Sequence, residues 1–143
     1  VPEGEYILPI GVADIKREGN DVTVVSFGKI IKEAYKAADE LEKEGISVEV
    51  IDLRTVRPMD HDSILNSVKK TNRLVILEEA WPFGSVASEI TYQVQENAFD
   101  YLDAPIQRIT TADTPAPFSP VLLEEWLPNK DDVIAAIKKV MYV

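Results

Sequence analysis

Runs of consecutive apolar residues alternate along the chain with segments in which apolar residues recur every three or four positions. The runs are rich in valine and isoleucine and predict strands that are covered on both faces, as in a parallel sheet. The periodic segments predict helices with one apolar face. The predicted strands are residues 22–27, 46–53, 73–79 and 104–113.

Four segments have apolar side chains at helical spacing and predict helices, over residues 29–45, 60–71, 84–99 and 129–140. Asp60 and Asn129 are predicted N-caps, because a short side-chain oxygen can accept from the N–H groups of a first helical turn. Gly45 is a predicted stop for the first helix. Residues 114–120 hold three of the nine prolines, which predicts an ordered turn rather than a strand or helix.

The alternation of strands and helices predicts an α/β fold with three layers, in which a mostly parallel five-stranded sheet lies between helices. A first β-rich run precedes the turn signal at Gly19 and Asn20 and is predicted as the one antiparallel strand, hairpin-like and at the sheet edge. Residues 1–10 predict an incoming linker, followed by one domain over residues 11–143. Because residue 1 is valine, we expect a piece of a longer protein.

Composition narrows the possible chemistry. The chain has 143 residues, no cysteine, one histidine and a formal net charge of −10. The lack of cysteine excludes disulfides and thiolate chemistry, and a single histidine leaves no histidine-rich metal site. The negative charge argues against nucleic acid or an anionic membrane as a partner and favours a basic protein partner. No apolar run approaches the roughly 20 residues that a transmembrane helix needs.

Ligands of parallel α/β sheets bind where the strands end, so the loops after the predicted strands are the places to look for chemistry. No glycine-rich dinucleotide motif and no P-loop is present in the chain. The turn at residues 26–29 either offers N–H groups to an anion or is a plain strand-to-helix turn. Glu78 and Glu79 are either a general acid or a metal-binding carboxylate, or they hold loop N–H groups or arginines, and we favour the structural role.

A second strand end contains arginine, aspartate and the single histidine. Arg57 and Asp60 are either a phosphate clamp or an ion-paired brace across a turn, and we favour the brace. His61 lies between two aspartates, and we predict that it is solvated, because one titratable ring makes no mechanism alone.

Aromatic residues in loops point to an interface. Trp81 and Phe83, in a loop with proline and glycine, either cap the core or anchor a subunit contact. Trp126 likewise either caps the core or anchors a subunit contact. A complete fold with an incomplete set of catalytic groups predicts a domain whose chemistry lies elsewhere or one that assembles other parts.

Three stretches together resemble a known family. They are "VEVIDLRTVRPMD" at 48–60, "LVILEEAWPFGSVASEI" at 74–90 and "FDYLDAPIQRITTADTPAPFSPVLLEEWLP" at 99–128. They are similar to the C-terminal domain of the beta subunit of the pyruvate dehydrogenase decarboxylating component, within the wider family of transketolase C-terminal domains. The resemblance extends from about Pro9 to the end of the chain.

The resemblance implies an oxidoreductase that uses thiamine diphosphate and magnesium to decarboxylate pyruvate and to acetylate a lipoyl group. It places the cofactor, the metal and the catalytic groups outside these residues, so no catalytic, cofactor-binding or metal-binding residue is expected here, and the isolated domain is expected to be inactive. It also implies a location in the bacterial cytoplasm, or in the mitochondrial matrix of a eukaryote.

The resemblance further implies a role in assembly. The implied partners are a second beta subunit, an alpha subunit and the subunit-binding domain of the dihydrolipoyl acyltransferase. Asp103 and the carboxylate of Val143 are the implied acidic contacts with the acyltransferase. The candidate interface residues are Trp81, Phe83, Arg57 and Asp60.

Two other hypotheses stay open from the sequence. One is a stand-alone α/β domain that binds a nucleotide or an anion at the edge formed by residues 26–29 and 54–60. The other is the equivalent domain of a branched-chain 2-oxoacid dehydrogenase.

Overall fold

The computed structural model describes residues 3–143 and contains one five-stranded sheet with the strand order β1-β3-β2-β4-β5. The strands are β1 (Asp14–Arg17), β2 (Val22–Ser26), β3 (Val48–Asp52), β4 (Leu74–Leu77) and β5 (Gln107–Ile109). The helices are α1 (Ile31–Glu42), α2 (His61–Thr71), α3 (Val86–Ala98), α4 (Pro120–Trp126) and α5 (Lys130–Met141), and a 3-10 turn covers Phe99–Tyr101.

The sheet has one antiparallel strand at its edge, as predicted. β1 pairs antiparallel with β3, while the pairs β3–β2, β2–β4 and β4–β5 are parallel. The hairpin-like pairing of β1 with β2 that the turn at Gly19 and Asn20 suggested is wrong, because β3 lies between these two strands. Gly19 lies so close to β3 that an added Cβ would be 2.2 Å from the backbone nitrogen of Glu49.

Helices cover both faces of the sheet and make three layers. One core contains Ile31 and Ala34 of α1 with Val133 and Ile137 of α5. The core on the other face is formed with α2 and α3 and includes Ile64, Val68, Ala87, Ile90 and Val94. The central strands β2, β3 and β4 are almost fully buried, which explains why they appear in the sequence as continuous apolar runs rather than as alternating ones.

Both predicted N-caps are confirmed. Asp60 accepts from the N–H of Ser63 at 3.0 Å, and Asn129 accepts from the N–H of Asp131 at 2.8 Å within a full capping box. Gly45 has a φ of 81°, the left-handed conformation that ends the α1 segment at low cost.

Two local features differ from the sequence prediction. α4 was not predicted, and it begins at Pro120, the last residue of the predicted proline-rich turn. It is short and has no buried residue, so no apolar periodicity marks it. The fifth strand is only Gln107–Ile109 rather than 104–113, because pairing with β4 stops there.

A group of buried polar side chains, the polar network, lies between α2 and the sheet. Glu49 of β3 is buried, and it accepts hydrogen bonds from Ser67 Oγ at 2.5 Å and from the N–H of Gly19 at 3.2 Å. Its carboxylate also pairs with Lys70. Burial opposes ionisation, but these donors outweigh it and hold the pKa of Glu49 below its ordinary value.

The polar network continues through hydroxyl groups. Thr23 Oγ1 lies 2.6 Å from both Ser67 Oγ and Thr71 Oγ1, and Thr71 Oγ1 donates to the carbonyl of Arg73 at 3.2 Å. These contacts join α2 to β2 and β3 through polar groups that are satisfied by one another, which is the condition under which buried polar groups do not destabilise a fold.

Candidate interaction surfaces

Both tryptophans of the chain meet at one carbonyl oxygen. Trp81 Nε1 donates to the carbonyl of Thr114 at 2.9 Å, and Trp126 Nε1 donates to the same carbonyl at 3.0 Å. Arg108 donates to the carbonyl of Pro82 at 3.2 Å and to Ser88 Oγ at 2.7 Å. These bonds hold the loop after β4, the proline-rich turn and α4 together at one end of the molecule.

Large apolar side chains project from this end. Phe83 is 92% exposed, Phe118 is fully exposed and Trp81 is 54% exposed. Two exposed residues of α4 complete the group, which we call the aromatic surface, and its members are Trp81, Phe83, Phe118, Val121 and Leu122. Residues 80–88 and 114–123 contain no charged residue. An apolar surface of this kind on an acidic chain indicates a protein contact.

The sequence predicted only part of the aromatic surface. Trp81 and Phe83 were candidate interface residues, and the structure exposes both. Phe118, Val121 and Leu122 were missed, although residues 114–123 are an uncharged run in a chain of which 28% is charged. That run was the available signal, but only the tryptophan contacts with Thr114 place it beside Trp81.

Asp103 lies in the turn that precedes the N-terminal end of β5, in contact with Tyr142 near the end of the chain. It is exposed, and its carboxylate lies 3.4 Å from the guanidinium of Arg73. Its N–H donates to the carbonyl of Asn72 at 2.9 Å, and its carbonyl accepts from Tyr142 Oη at 3.3 Å. Val143 is exposed and follows Tyr142 directly. The side chain of Tyr142 therefore links the last residues of the chain to the segment that contains Asp103.

An open groove of about 450 Å³ borders Asp103. It lies between α3 and the turn before β5, and its walls include Phe99, Leu102 and Pro105. Phe99, Tyr101 and Tyr142 are exposed, so the carboxylate of Asp103 lies beside apolar and aromatic groups. A surface of this composition suits a partner that offers a cation next to an apolar side chain.

The predicted ion pair between Arg57 and Asp60 is absent from residues 3–143. Asp60 instead accepts from the N–H of Ala13 at 2.9 Å and from Ser63 Oγ at 2.7 Å. Burial raises the pKa of Asp60, but these hydrogen bonds outweigh it, and the pKa lies below the ordinary value. Arg57 is exposed. The arginine near this turn that does form an ion pair is Arg54, and its partner is Asp14. Asp60 braces the turn without Arg57, because backbone N–H groups already occupy its carboxylate.

The other candidate groups have structural contacts. Glu78 is fully buried, and its Oε2 accepts from the N–H of Ala87 in the first turn of α3 at 3.2 Å, while its Oε1 has no hydrogen-bond partner in residues 3–143. His61 is half-buried, and its Nδ1 is buried without a partner in the described part of the chain. The prediction of a solvated His61 therefore holds only in part: the residue borders an open groove next to Arg57 and Pro58, and on another side it borders a small gap that Ile90 and Val94 of α3 also line.

Within residues 3–143, no three His, Asp or Glu side chains lie close enough together to hold a metal ion. The helices of the described chain are also too short or too polar to cross a bilayer. The geometry thus defines a three-layer α/β domain whose prominent features are two surfaces, the aromatic surface and the surface around Asp103, rather than a cluster of reactive side chains.

The sequence assigns this domain to a family. The family model of the transketolase C-terminal domain matches residues 11–133, and the chain belongs to that family. A solved structure described as a split-gene transketolase, an inactive beta4 tetramer, has a TM-score of 0.84 and 29% sequence identity, and it covers 94% of this chain and 44% of its own.

Curated relatives are about half identical to the chain. The pyruvate dehydrogenase E1 component subunit beta of Rhizobium meliloti is 52% identical over 138 residues, and that of Rickettsia felis is 51% identical over 142 residues. The beta subunit of acetoin:2,6-dichlorophenolindophenol oxidoreductase from Bacillus subtilis is 50% identical over 135 residues. The matches cover 96%, 99% and 94% of the chain but only 30%, 44% and 40% of the relatives, so the chain spans less than half of each relative's length.

Proposed function

We propose that this chain is the C-terminal domain of the beta subunit of a thiamine-diphosphate-dependent pyruvate dehydrogenase, and that it serves assembly rather than bond breaking. Relatives named as pyruvate dehydrogenase beta subunits support the enzyme class, since two of them are 51% and 52% identical. The protein would work where pyruvate is oxidised, in the cytoplasm of a bacterium or in the mitochondrial matrix of a eukaryote.

The aromatic surface is the observation that carries this proposal. Phe83 and Phe118 are almost wholly exposed, and aromatic side chains of this size lose a large apolar contact with water when a partner covers them. Residues 80–88 and 114–123 contain no acidic residue, so two copies of a chain with a net charge of −10 could approach there with little repulsion between carboxylates. We assign it to the contact between beta subunits, with the alpha subunit adjoining.

The chemistry of the enzyme would take place on other parts of the assembly. The described residues bring together no set of carboxylates or histidines that fits a magnesium site, and the chain has no glycine-rich diphosphate motif. The residues present therefore do not fit thiamine diphosphate, and we derive no step through the cofactor.

The surface around Asp103 would bind the basic subunit-binding domain of the acyltransferase. The exposed carboxylate of Asp103 and the exposed Val143 next to Tyr142 lie beside aromatic groups, so a lysine or arginine of the partner would meet both charge and apolar contact. Exposed charges of this kind change the association rate and its salt dependence more than they change the affinity at high salt.

Binding of that domain to the full-length beta subunit tests the docking surface. We expect Asp103→Ala to weaken binding about two- to five-fold at low salt, the usual size for an exposed ion pair, and to have less effect at high salt. The matched control is Asp100→Ala, which removes an exposed acid three residues away. Equal affinities for both variants, or no salt dependence in the unsubstituted protein, would exclude Asp103 from the docking surface.

A second candidate function is the oxidation of acetoin, because the relative named for acetoin is as similar as the pyruvate dehydrogenases, at 50% identity. Reconstitution of the full-length protein with its alpha subunit would separate the two. Reduction of 2,6-dichlorophenolindophenol with pyruvate but not with acetoin supports the first function, and the reverse preference supports the second.

A further inference from the structure

Arg73 lies directly before β4, and its side chain contacts three separate segments of the chain. Its Nε donates to the carbonyl of Val140 at 3.2 Å, and its Nη1 donates to the carbonyl of Asp21 at 3.4 Å. Its Nη2 lies 3.4 Å from a carboxylate oxygen of Asp103. The guanidinium is therefore shared between the end of α5, the segment before β2 and the acid to which we assign docking.

Two of these contacts hold the guanidinium independently of Asp103. Val140 belongs to the last turn of α5, where carbonyl groups have no intrahelical partner and the helix dipole favours a positive charge. The carbonyl of Asp21 provides a second fixed acceptor. The side chain of Arg73 is only 24% exposed, and a guanidinium has enough N–H groups to serve several acceptors at once. We expect it to keep its position when Asp103 binds another cation.

The carboxylate of Asp103 is held much less firmly. Its side chain is 57% exposed, and Arg73 is its one ion-pair partner within residues 3–143. The contacts of Asp103 with Asn72 and Tyr142 involve its main chain only. Asp103 lines the open groove beside Phe99, whereas Arg73 does not line it. A cation in the groove can therefore reach the carboxylate while the guanidinium stays bound to its two carbonyls.

We propose that Arg73 is a built-in competitor for the docking acid and sets how tightly the basic partner binds. This proposal rests on the docking role of Asp103 that is proposed above. A lysine or arginine of the subunit-binding domain would meet a carboxylate that Arg73 already partly neutralises. Because the guanidinium stays nearby, it would also repel the incoming cation. Arg73 would thus weaken the contact that Asp103 makes and keep the docking reversible.

Titration of the full-length beta subunit with the subunit-binding domain, at low and at high salt, tests the proposal. Arg73→Gln should bind the domain about two- to five-fold more tightly at low salt, the usual size for an exposed ion pair, and the gain should shrink at high salt. Arg73→Lys keeps the positive charge but not the guanidinium fork, and it should bind as the unsubstituted protein does. Both variants should fold in circular dichroism melting, because Val133, Ile137 and Val140 still hold α5 in the core.

A purely supporting role for Arg73 predicts the opposite change in affinity. Both variants lose the paired hydrogen bonds to the carbonyls of Val140 and Asp21. If those bonds only hold the docking surface in place, Arg73→Gln and Arg73→Lys would both bind the domain more weakly. That result, or equal affinities of Arg73→Gln and the unsubstituted protein, would overturn the proposal.

Two comparisons separate this effect from net charge and from a failure of docking itself. Arg57→Gln removes an exposed arginine after β3, at the opposite edge of the sheet, and should leave the affinity unchanged. In Asp103→Ala, the further change Arg73→Gln should have little effect, and an equal gain with and without Asp103 would overturn the proposal. Undiminished binding by Asp103→Ala would refute the docking surface. Weaker binding by Asp103→Ala with no gain in Arg73→Gln would refute only the role of Arg73.

Discussion

The polar network and the aromatic surface are opposite exceptions to the usual distribution of residues. The polar network buries a carboxylate, Glu49, against the sheet, whereas the aromatic surface exposes Phe83 and Phe118. Buried charges are rare unless they are paired, and large exposed apolar groups are rare unless they are covered by a partner. Glu49 finds all its partners within the chain, and the two phenylalanines do not.

This difference separates stability from association. A group that is satisfied by its own chain can be removed only at the expense of the fold, because the partners left behind are buried and unsatisfied. A group that is exposed can be removed without loss of folding, since nothing in the chain depends on it. Substitutions in the polar network should therefore change the free energy of unfolding, and substitutions in the aromatic surface should change the oligomeric state.

Gly19→Ala should have the largest effect on stability. The new Cβ would lie 2.2 Å from the backbone nitrogen of Glu49 and from the backbone carbonyl carbon of Val48, and backbone atoms of a central strand cannot move away as a flexible side chain can. We expect a loss of about 3 kcal/mol or more in the free energy of unfolding, measured by urea denaturation. Gly45→Ala is the control, because its Cβ would meet nothing within 4 Å and only its positive φ is strained. Equal losses in the two variants would mean that close packing against β3 is unimportant.

Glu49→Ala should have the next largest effect. It leaves the N–H of Gly19 and the hydroxyl of Ser67 without an acceptor and removes the ion-pair partner of Lys70. We expect a loss of about 2–4 kcal/mol in the free energy of unfolding by urea denaturation. Glu18→Ala removes the exposed partner of the same lysine and should change stability little. A loss in Glu18→Ala as large as that in Glu49→Ala would place the stabilisation in Lys70 rather than in the buried acceptor.

The stabilisation from Glu49 should depend on pH in one direction. Its pKa is lower in the folded chain than its ordinary value, so the folded state favours the ionised form. This contribution is complete above the ordinary glutamate pKa of about 4.3 and is lost as the pH falls through the folded pKa. The stability difference between the unsubstituted chain and Glu49→Gln should be constant from about pH 7 to pH 5 and should shrink below about pH 4. A difference that grows on acidification would contradict the lowered pKa.

Phe118→Ser should change association without changing folding. Phe118 is fully exposed, so its removal takes nothing from the core, but it removes the most exposed member of the aromatic surface. We expect sedimentation equilibrium of the full-length protein to show dissociation at concentrations at which the unsubstituted protein stays associated, with a dissociation constant raised at least about ten-fold, as for a central aromatic contact. Tyr92→Ser, an exposed aromatic residue of α3, is the control and should leave the dissociation constant unchanged. Unchanged association in Phe118→Ser would remove the aromatic surface from the subunit contact.

The sequence predicts the buried parts of this molecule better than its surfaces. The apolar runs of β2, β3 and β4 and the caps at Asp60 and Asn129 follow local rules, and the structure confirms them. The partner of β1 is not a local property, since the turn at residues 19–20 fits a hairpin as well as a crossing to β3. The aromatic surface also depends on residues that are distant in the sequence. The hydrogen bond from Trp81 to the carbonyl of Thr114, 33 positions later, brings the segment that contains Phe118 towards Trp81.

The same limit applies to the charged candidates. Arg57 and Asp60 are three residues apart, which suggested an ion pair. The carboxylate of Asp60 instead accepts a hydrogen bond from the N–H of Ala13, 47 positions earlier in the chain. Asp103 shows no local signal of a docking role, and the family resemblance alone selected it. Ser26 Oγ is buried without a hydrogen-bond partner in residues 3–143, and no local sequence pattern predicts this, because it depends on how the strand and the helix pack.

Trp81→Phe should have the smallest effect and completes the comparison. It removes one of the two donors to the carbonyl of Thr114 and leaves that of Trp126. Because Thr114 is exposed, water replaces the lost donor, and we expect a loss below about 1 kcal/mol by urea denaturation. Trp126 is then the only tryptophan, and its unchanged fluorescence maximum would show that the contact with Thr114 persists. A loss as large as that in Glu49→Ala would mean that an exposed hydrogen bond contributes as much as a buried one, and the separation between a region that stabilises the chain and a region that binds partners would fail.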